Sequence, residues 1–309
     1  MKLRMCGLLL TLGVVGGARP RLATAQELGH KLLGGIGINA GTQPAPGLYV
    51  LDRFVVYRAQ SLRDRNGNLL PIESLGIDVA ANVLGVAYTR ALRDHSFYSA
   101  AAGAPLARVD VGADHPQIAV DASGFGDVFV QPVKLGARFD HFDVVGDYTL
   151  YIPSGHFEPR RLSVGRGYWT NQVSLCGAFH ADRRRARRAS LLASYDINSR
   201  KRDIDIKRGN SFQVQGGAGT QLYGPVDGGL AGFALWQVTD NGGTDLPSAV
   251  RGARARVFGL GPEVGVAIPS IRARIEARTE WEFGARSRQE GWIAFFGAAF
   301  QACCSATRR

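Results

Sequence analysis

The clearest pattern in the chain is a strict alternation of uncharged and charged residues near its C-terminal end. Between residues 271 and 283, every odd position is apolar or small and every even position is charged. A strand places these two sets on opposite faces, whereas a helix would spread the charges around its circumference. The pattern predicts a β-strand that is longer than most soluble strands and suits a tilted bilayer crossing.

The same alternation recurs along the chain in shorter stretches. It predicts strands at residues 143–152, 172–180, 191–198 and 212–215. Aromatic residues such as Trp292 and Phe300 mark a closing strand. Counting toward the N-terminus adds strands near residues 48–60, 75–91, 96–106 and 126–138.

The connections between these predicted strands alternate in length. The long ones are residues 153–167, 199–209 and 241–252, and the short ones are near residue 140 and at residues 182–188, 223–228 and 269–270. Outer-membrane barrels combine short periplasmic turns with longer outer loops. Only the last outer loop, at about residues 287–290, is short. The sequence therefore predicts an all-β protein, an antiparallel transmembrane β-barrel of about twelve strands, spanning residues 47–301.

A soluble periplasmic β-sandwich or lipocalin-like barrel is the alternative, because it also alternates apolar and polar residues. It would bury the apolar face and turn the charged face to water. The two folds therefore differ in the position of Ile275 and Trp281, which the soluble fold buries while it exposes Arg274 and Glu280.

The N-terminus indicates export. Basic residues precede an apolar stretch, and the sequence Ala-Thr-Ala at 23–25 offers a signal-peptidase site, so residues 1–25 are predicted to be a cleaved signal peptide. After residue 25, charges or glycines interrupt every long apolar stretch, so a membrane-spanning form requires a closed barrel. We therefore expect the Gram-negative outer membrane as the location.

Charge and cysteine content exclude several other classes. The formal net charge is +11, but four of the basic residues belong to the predicted signal, and the others mostly alternate singly with apolar residues. Nucleic-acid binders concentrate Lys and Arg on one face, so we expect no nucleic-acid partner. Cys176, Cys303 and Cys304 show no metal-ligand spacing, and we expect neither a metal nor a cofactor.

Short motifs follow one another in a fixed order along the chain: PAPGLY at 44–49, GFGD at 124–127, PSG at 153–155, GRGYW at 165–169, YDIN at 195–198, QVTD at 237–240 and LGP at 260–262. Their order and spacing resemble the outer-membrane proteins associated with the meta-pathway of phenol degradation. The resemblance covers about residues 35–300. It implies a transporter-like barrel, and with it passive uptake of small hydrophobic or aromatic molecules.

The barrel prediction assigns one set of polar residues to the lumen. They are Asp147, Asp196, Gln213, Gln215, Gln237, Arg272, Arg274, Glu276, Arg278, Glu280 and Glu282. Residues 26–46 are predicted to be either a periplasmic leader or a partial plug, and residues 302–309 a C-terminal tail. A non-conducting structural or binding barrel is the alternative function, since mixed Arg and Glu would cross-link a narrow lumen.

The outer loops suggest two further hypotheses. Basic residues of the 199–209 loop could contact lipopolysaccharide phosphates as an outer-membrane partner: Arg200, Lys201, Arg202, Lys207 and Arg208. Ser154 and His156 would be the residues of a membrane-embedded hydrolase. No nucleophile elbow or HExxH motif accompanies them, so the sequence predicts that the protein is not an enzyme. The oligomeric state is left open.

Overall fold

The computed structural model describes residues 29–30, 33–93 and 95–304. The predicted signal peptide and residues 305–309 of the predicted tail lie outside this range. The thirteen strands are β1 (Gly47–Arg63), β2 (Gly76–Ala91), β3 (Ser96–Ala113), β4 (Ile118–Phe125), β5 (Val128–Arg138), β6 (Phe142–Ile152), β7 (Thr170–His180), β8 (Arg187–Asn198), β9 (Ser211–Tyr223), β10 (Val226–Gln237), β11 (Arg256–Ile268), β12 (Ala273–Arg286) and β13 (Arg288–Cys304).

The strands form one closed antiparallel sheet. Consecutive strands pair with each other, except β4 and β5, and β1 closes the ring by pairing with β13 from Gly47↔Cys304 to Arg63↔Arg288. β4 pairs with the second half of β3, at residues 106–113, and β5 pairs with the first half, at residues 96–103. They therefore count as one strand interrupted at residues 126–127, and the sheet is the predicted twelve-stranded barrel.

Helical structure among the described residues is limited to two turns between strands. These are α1 (Ser248–Arg251) and a 3-10 turn (Pro269–Ile271). No helix in the described part of the chain has the length and apolar character needed to span a membrane.

The orientation of the strands excludes the soluble alternative. Ile275 and Trp281 are 49% and 55% exposed on the outside of the barrel, whereas Arg278 and Glu280 are 4% and 0% exposed. The same arrangement holds on β7, where Leu175 points outward and Gln172 is buried. An exterior of this kind fits hydrocarbon, because apolar residues form an outer band and the charges of β12 face the interior.

Several predicted boundaries differ from the structure. The strand predicted at residues 271–283 begins at Ala273, because Arg272 adopts φ 51° and closes the turn before it. The last outer connection is the single residue Ser287, and β13 extends beyond residue 301 to Cys304.

The largest difference is the hairpin formed by β3 and β4. The strand predicted at 96–106 continues to Ala113, and the next strand starts at Ile118, well before residue 126. This hairpin was missed because its outward positions carry charges such as Arg108 and Asp110 in place of an apolar stripe. Those charges indicate a part of the wall that extends beyond the hydrocarbon.

Candidate functional site in the barrel interior

The interior of the barrel has an apolar side and a polar side. The apolar side comes from β1, β2 and β10–β13 and contains Val55, Tyr57, Ala59, Val79, Ala81, Phe233, Leu235, Val257, Ala285, Ile293 and Phe295. The polar side comes from β6–β9 and contains Asp147, Thr149, Gln172, Ser174, Ser194, Asp196, Gln213 and Gln215. A molecule inside the barrel would therefore meet hydrogen-bonding groups on one side and hydrocarbon on the other.

On the polar side, uncharged side chains donate hydrogen bonds to the buried Asp196 carboxylate. Gln172 donates to Asp196 at 2.6 Å, and Gln213 and Ser211 donate to the second carboxylate oxygen of the same residue. Hydrogen bonds from uncharged donors thus stabilise the buried carboxylate, and no cation is needed beside it.

Ion pairs also lie on β11 and β12, among the strands that form the apolar side. Arg278 donates to Glu263 at 2.9 Å, with both side chains almost fully buried. Glu280 lies 3.8 Å from the Nε of Arg278, and neither of its carboxylate oxygens accepts a hydrogen bond from the described residues. Glu282 accepts from Arg288 at 3.1 Å and from Tyr57 at 2.8 Å.

The N-terminal segment, residues 33–43, runs through the interior. Its backbone N–H groups donate to inward side chains on three strands: Ile36 to Gln215 at 3.3 Å, Ile38 to Glu263 at 3.0 Å and Ala40 to Ser190 at 3.2 Å. Leu33 packs in the apolar cluster, and Gly34 lies against the Glu280 carboxylate. The segment therefore lies inside the barrel and contacts residues of both the polar and the apolar side.

Glycines of the wall make room for this segment. A Cβ atom at Gly217 or Gly219 would lie 2.9 or 3.0 Å from the Ile38 side chain, which is fully buried. On the segment itself, a Cβ at Gly41 would meet the backbone of β7 at 2.5 Å from Gly177. The absence of side chains at these positions permits close backbone approach.

The outer end of the segment is fixed through Asp127, in the interruption between β4 and β5. His30 contacts the Asp127 carboxylate at 2.8 Å, and the N–H groups of Gly155 and Arg166 donate to the same carboxylate at 2.8 and 2.7 Å. The other ring nitrogen of His30 lies 2.8 Å from Thr170, whose hydroxyl donates to Asn198. His30 therefore bridges the Asp127 carboxylate and the Thr170 hydroxyl through its two ring nitrogens.

Replacement of Asp127 with alanine is expected to loosen both the segment and the 153–167 loop. Two buried N–H groups and His30 would lose their acceptor, which lowers the free energy of unfolding by about 1–3 kcal/mol. Urea unfolding in detergent, with limited proteolysis of the loop, measures both effects. Asp114→Ala, on the exposed β3–β4 turn, is the control, and an equal effect of the two substitutions would contradict the assignment.

The predicted lumen residues mostly occupy the interior. Asp147, Asp196, Gln213, Gln215, Gln237, Arg278, Glu280 and Glu282 are buried, and Arg274 and Glu276 are half-buried. Arg274 donates to Asp227, which also pairs with Arg188. Arg272 is the exception, because it is exposed in the turn before β12, so its assignment to the lumen was wrong.

Two of the five predicted lipopolysaccharide contacts are also wrong. Lys201 is buried, with its ammonium 5.2 Å from the Phe157 ring, and Arg208 lines a small interior pocket beside His30. Arg200, Arg202 and Lys207 are exposed. Within the loop, Arg200 pairs with Asp205 and Arg202 donates to the carbonyls of residues 153 and 155.

Ion pairs and hydrogen bonds at the outer surface perturb two loop carboxylates. A hydrogen bond from His156, with the charge of Arg161, lowers the pKa of Glu158. A hydrogen bond from Arg254 lowers the pKa of Asp240. Both carboxylates thus remain ionised at neutral pH, and each stabilises its own loop through contacts within that loop.

In the hydrolase hypothesis, Ser154 and His156 would act together, but each hydrogen-bonds to another residue. The Ser154 hydroxyl accepts from the backbone N–H of Val128 at 3.0 Å, while His156 contacts Glu158 at 3.0 Å. The described residues contain no group of three or more side chains that could hold a metal ion.

Sequence reasoning missed several interior residues. Glu263 and Arg288 lie where the alternation is broken by glycine or by a turn, and His30 and Asp127 lie outside any alternating segment. The signal that could have indicated Glu263 is its single charge within the apolar stretch of residues 257–268. The partners of His30 are 97 and 140 residues away, so no local pattern could reveal them.

Comparison with known proteins agrees with this architecture. The outer membrane channel COG4313 from Pseudomonas putida F1 has a TM-score of 0.75 at 12% identity, over 85% of this chain and 97% of that one. The transport unit of the autotransporter AIDA-I from Escherichia coli has a TM-score of 0.50 at 10% identity, over 84% and 92%. No curated protein sequence matches this chain.

A family profile gives the assignment that fold similarity alone cannot. The profile described as "Putative MetA-pathway of phenol degradation" matches residues 59–296, which include all of the barrel except the first part of β1 and the last part of β13. The chain belongs to this family, as an outer-membrane β-barrel.

Proposed function

We propose that this barrel is a channel for passive uptake of small hydrophobic or aromatic molecules across the outer membrane. The observation that carries the proposal is the apolar cluster on one side of the interior, which extends over six strands and faces a hydrogen-bonding wall. An aromatic molecule with one polar substituent could contact both sides at once. The similar fold of the solved outer membrane channel from Pseudomonas putida also supports a channel function.

The N-terminal segment would act as a partial plug in this channel. It is held mainly by backbone N–H donors to Gln215, Glu263 and Ser190, so its displacement would free the apolar side without unfolding the wall. The same segment, with the Arg278–Glu263 pair beside it, also supports the second candidate, a non-conducting structural or binding barrel.

Deletion of residues 29–43 is expected to raise the flux of a small aromatic solute about tenfold or more, which corresponds to about 1.4 kcal/mol of barrier. Liposomes containing refolded protein measure the flux, and planar bilayers measure the conductance. Heat-modifiable gel migration verifies that the shortened barrel is folded. Absence of flux and conductance in both the full mature chain and the deletion variant would establish the non-conducting function.

The interior also predicts selectivity between solutes. Leu235→Gln would place an amide in the apolar cluster and is expected to reduce the flux of the aromatic solute more than that of a small sugar. Gln213→Asn, on the polar side, is the matched control. Equal effects on both solutes would argue against passage along the apolar side.

We also retain Arg200, Arg202 and Lys207 as the proposed contacts to lipopolysaccharide phosphates. Their exposure on one outer loop supports this, since charge-assisted hydrogen bonds to phosphate require accessible donors.

A further inference from the structure

The outer surface of β1–β3 differs from the rest of the barrel wall. Cross-strand partners define two outward rows, and their apolar members are Ile275, Ala298, Leu84 and Ala104 in the first row and Ala277, Phe296, Phe54 and Leu106 in the second. Asp52 belongs to the first row and Asn82 to the second. Two polar side chains thus interrupt a band that is otherwise apolar.

These two side chains contact each other. Asn82 donates to Asp52 at 2.7 Å, and both lie on the exposed face. Above and below them, the outward residues are again apolar or small: Leu48, Val50, Phe54 and Val56 on β1, and Ala80, Leu84 and Val86 on β2. An ionisable residue on a lipid-facing surface is destabilising, so such positions are rare and are usually paired with another polar group.

The outer end of the same face carries an excess of acid on one side. Asp110 and Asp121 are direct cross-strand partners on β3 and β4, a like-charge pairing that is unfavourable in a sheet. Arg108 contacts Asp110 at 2.9 Å. Arg58 lies on β1, two strands away on the other side of β2, and pairs with Asp78.

We propose that the β1–β3 face is an interface with a second copy of this chain, related by a two-fold axis that passes close to β2. Such an axis places β1 of one copy opposite β3 of the other, because an isologous interface joins the same surface on both subunits. The Arg58 side chain would then reach the Asp110–Asp121 pair of its partner. Each copy supplies one such contact.

The axis also brings the two copies of Asn82 together. An amide has both a donor and an acceptor, so two Asn side chains can hydrogen-bond reciprocally across a two-fold axis. Hydrogen bonds between polar side chains are a known means of association within a bilayer. The small outward residues Ala80 and Ala104 lie in the two rows next to that of Asn82 and permit close approach there.

Cysteine cross-linking tests the interface in vesicles that contain the refolded full mature chain at low density. Cys176, Cys303 and Cys304 are replaced with serine, and a single cysteine is placed at Leu84 on β2 or, as control, at Leu175 on β7. Both positions face outward with similar exposure. We expect a covalent dimer with Leu84→Cys and about tenfold less with Leu175→Cys, the ratio that distinguishes a specific contact from random collision.

Two further variants test the contacts themselves. Asn82→Leu and Arg58→Glu, each in the Leu84→Cys background, are expected to reduce the dimer yield about tenfold. Heat-modifiable gel migration verifies that each variant is a folded barrel. Equal yields at Leu84 and Leu175, no dimer at either, or no effect of both substitutions would overturn the proposal.

Discussion

Replacement of Arg278 with methionine is expected to lower the free energy of unfolding by about 3–5 kcal/mol. Arg278 is enclosed between Glu263 and Glu280, and its guanidinium lies 5.0 Å from the Phe295 ring centroid. Methionine would fill a similar volume but would leave two buried carboxylates without a cation. Removing one partner of a buried ion pair is much more destabilising than the pair is stabilising, because the remaining charge is uncompensated.

Urea unfolding in phospholipid vesicles measures this effect. The matched control is the double variant Arg278→Met with Glu263→Gln, which removes both charges of the hydrogen-bonded pair and is expected to recover part of the lost stability, since Glu280 still lacks a cation. Ser194→Ala, a neutral change on the opposite wall, controls for general sensitivity of the interior. A loss below about 1 kcal/mol for Arg278→Met would indicate a hydrated pair, comparable to a surface salt bridge.

Introduction of arginine at Leu175 is expected to destabilise the folded barrel by about 2–4 kcal/mol in a bilayer. Leu175 is 62% exposed in the middle of β7, so its side chain contacts hydrocarbon if the apolar exterior faces lipid. In a soluble protein the same exposed position would accept arginine with an effect of about 0.5 kcal/mol or less. The loss of stability caused by Leu175→Arg therefore shows whether the outer surface of the barrel meets lipid or water.

The comparison across positions makes this test specific. Leu175→Phe keeps the surface apolar and is expected to have little effect. Arginine at Tyr223, at the exposed end of β9, is expected to destabilise much less, because the effect falls toward the interface. Similar losses for Leu175→Arg and Tyr223→Arg would contradict the membrane assignment of this band.

The same principles explain the two-sided interior. Neutral amide donors satisfy Asp196 on the polar side, so that side presents hydrogen bonds without a strong field. The Glu263, Arg278 and Glu280 side chains lie on β11 and β12, where Ile38 and Gly34 of the N-terminal segment contact the two carboxylates.

Local patterns were sufficient to predict the class of the fold. In β12 the side chains alternate every residue, and a strand requires only its own sequence to separate the two faces. The alternation of loop lengths added the barrel topology, since each long or short connection is also a local feature. The hairpin of β3 and β4 was missed because its outer face meets water and lacks the apolar stripe on which the prediction depended.

The tertiary structure alone decided which residues meet inside the barrel. Glu263 contacts Ile38, and His30 contacts Asp127, across separations of 225 and 97 residues. Closure of the sheet determines these neighbours, and closure depends on the register of all the strands together. The sequence itself determined that one face of each strand is apolar and the other polar, because that follows from local periodicity; the position of the N-terminal segment and the pairing of the enclosed charges depend on contacts between distant parts of the chain.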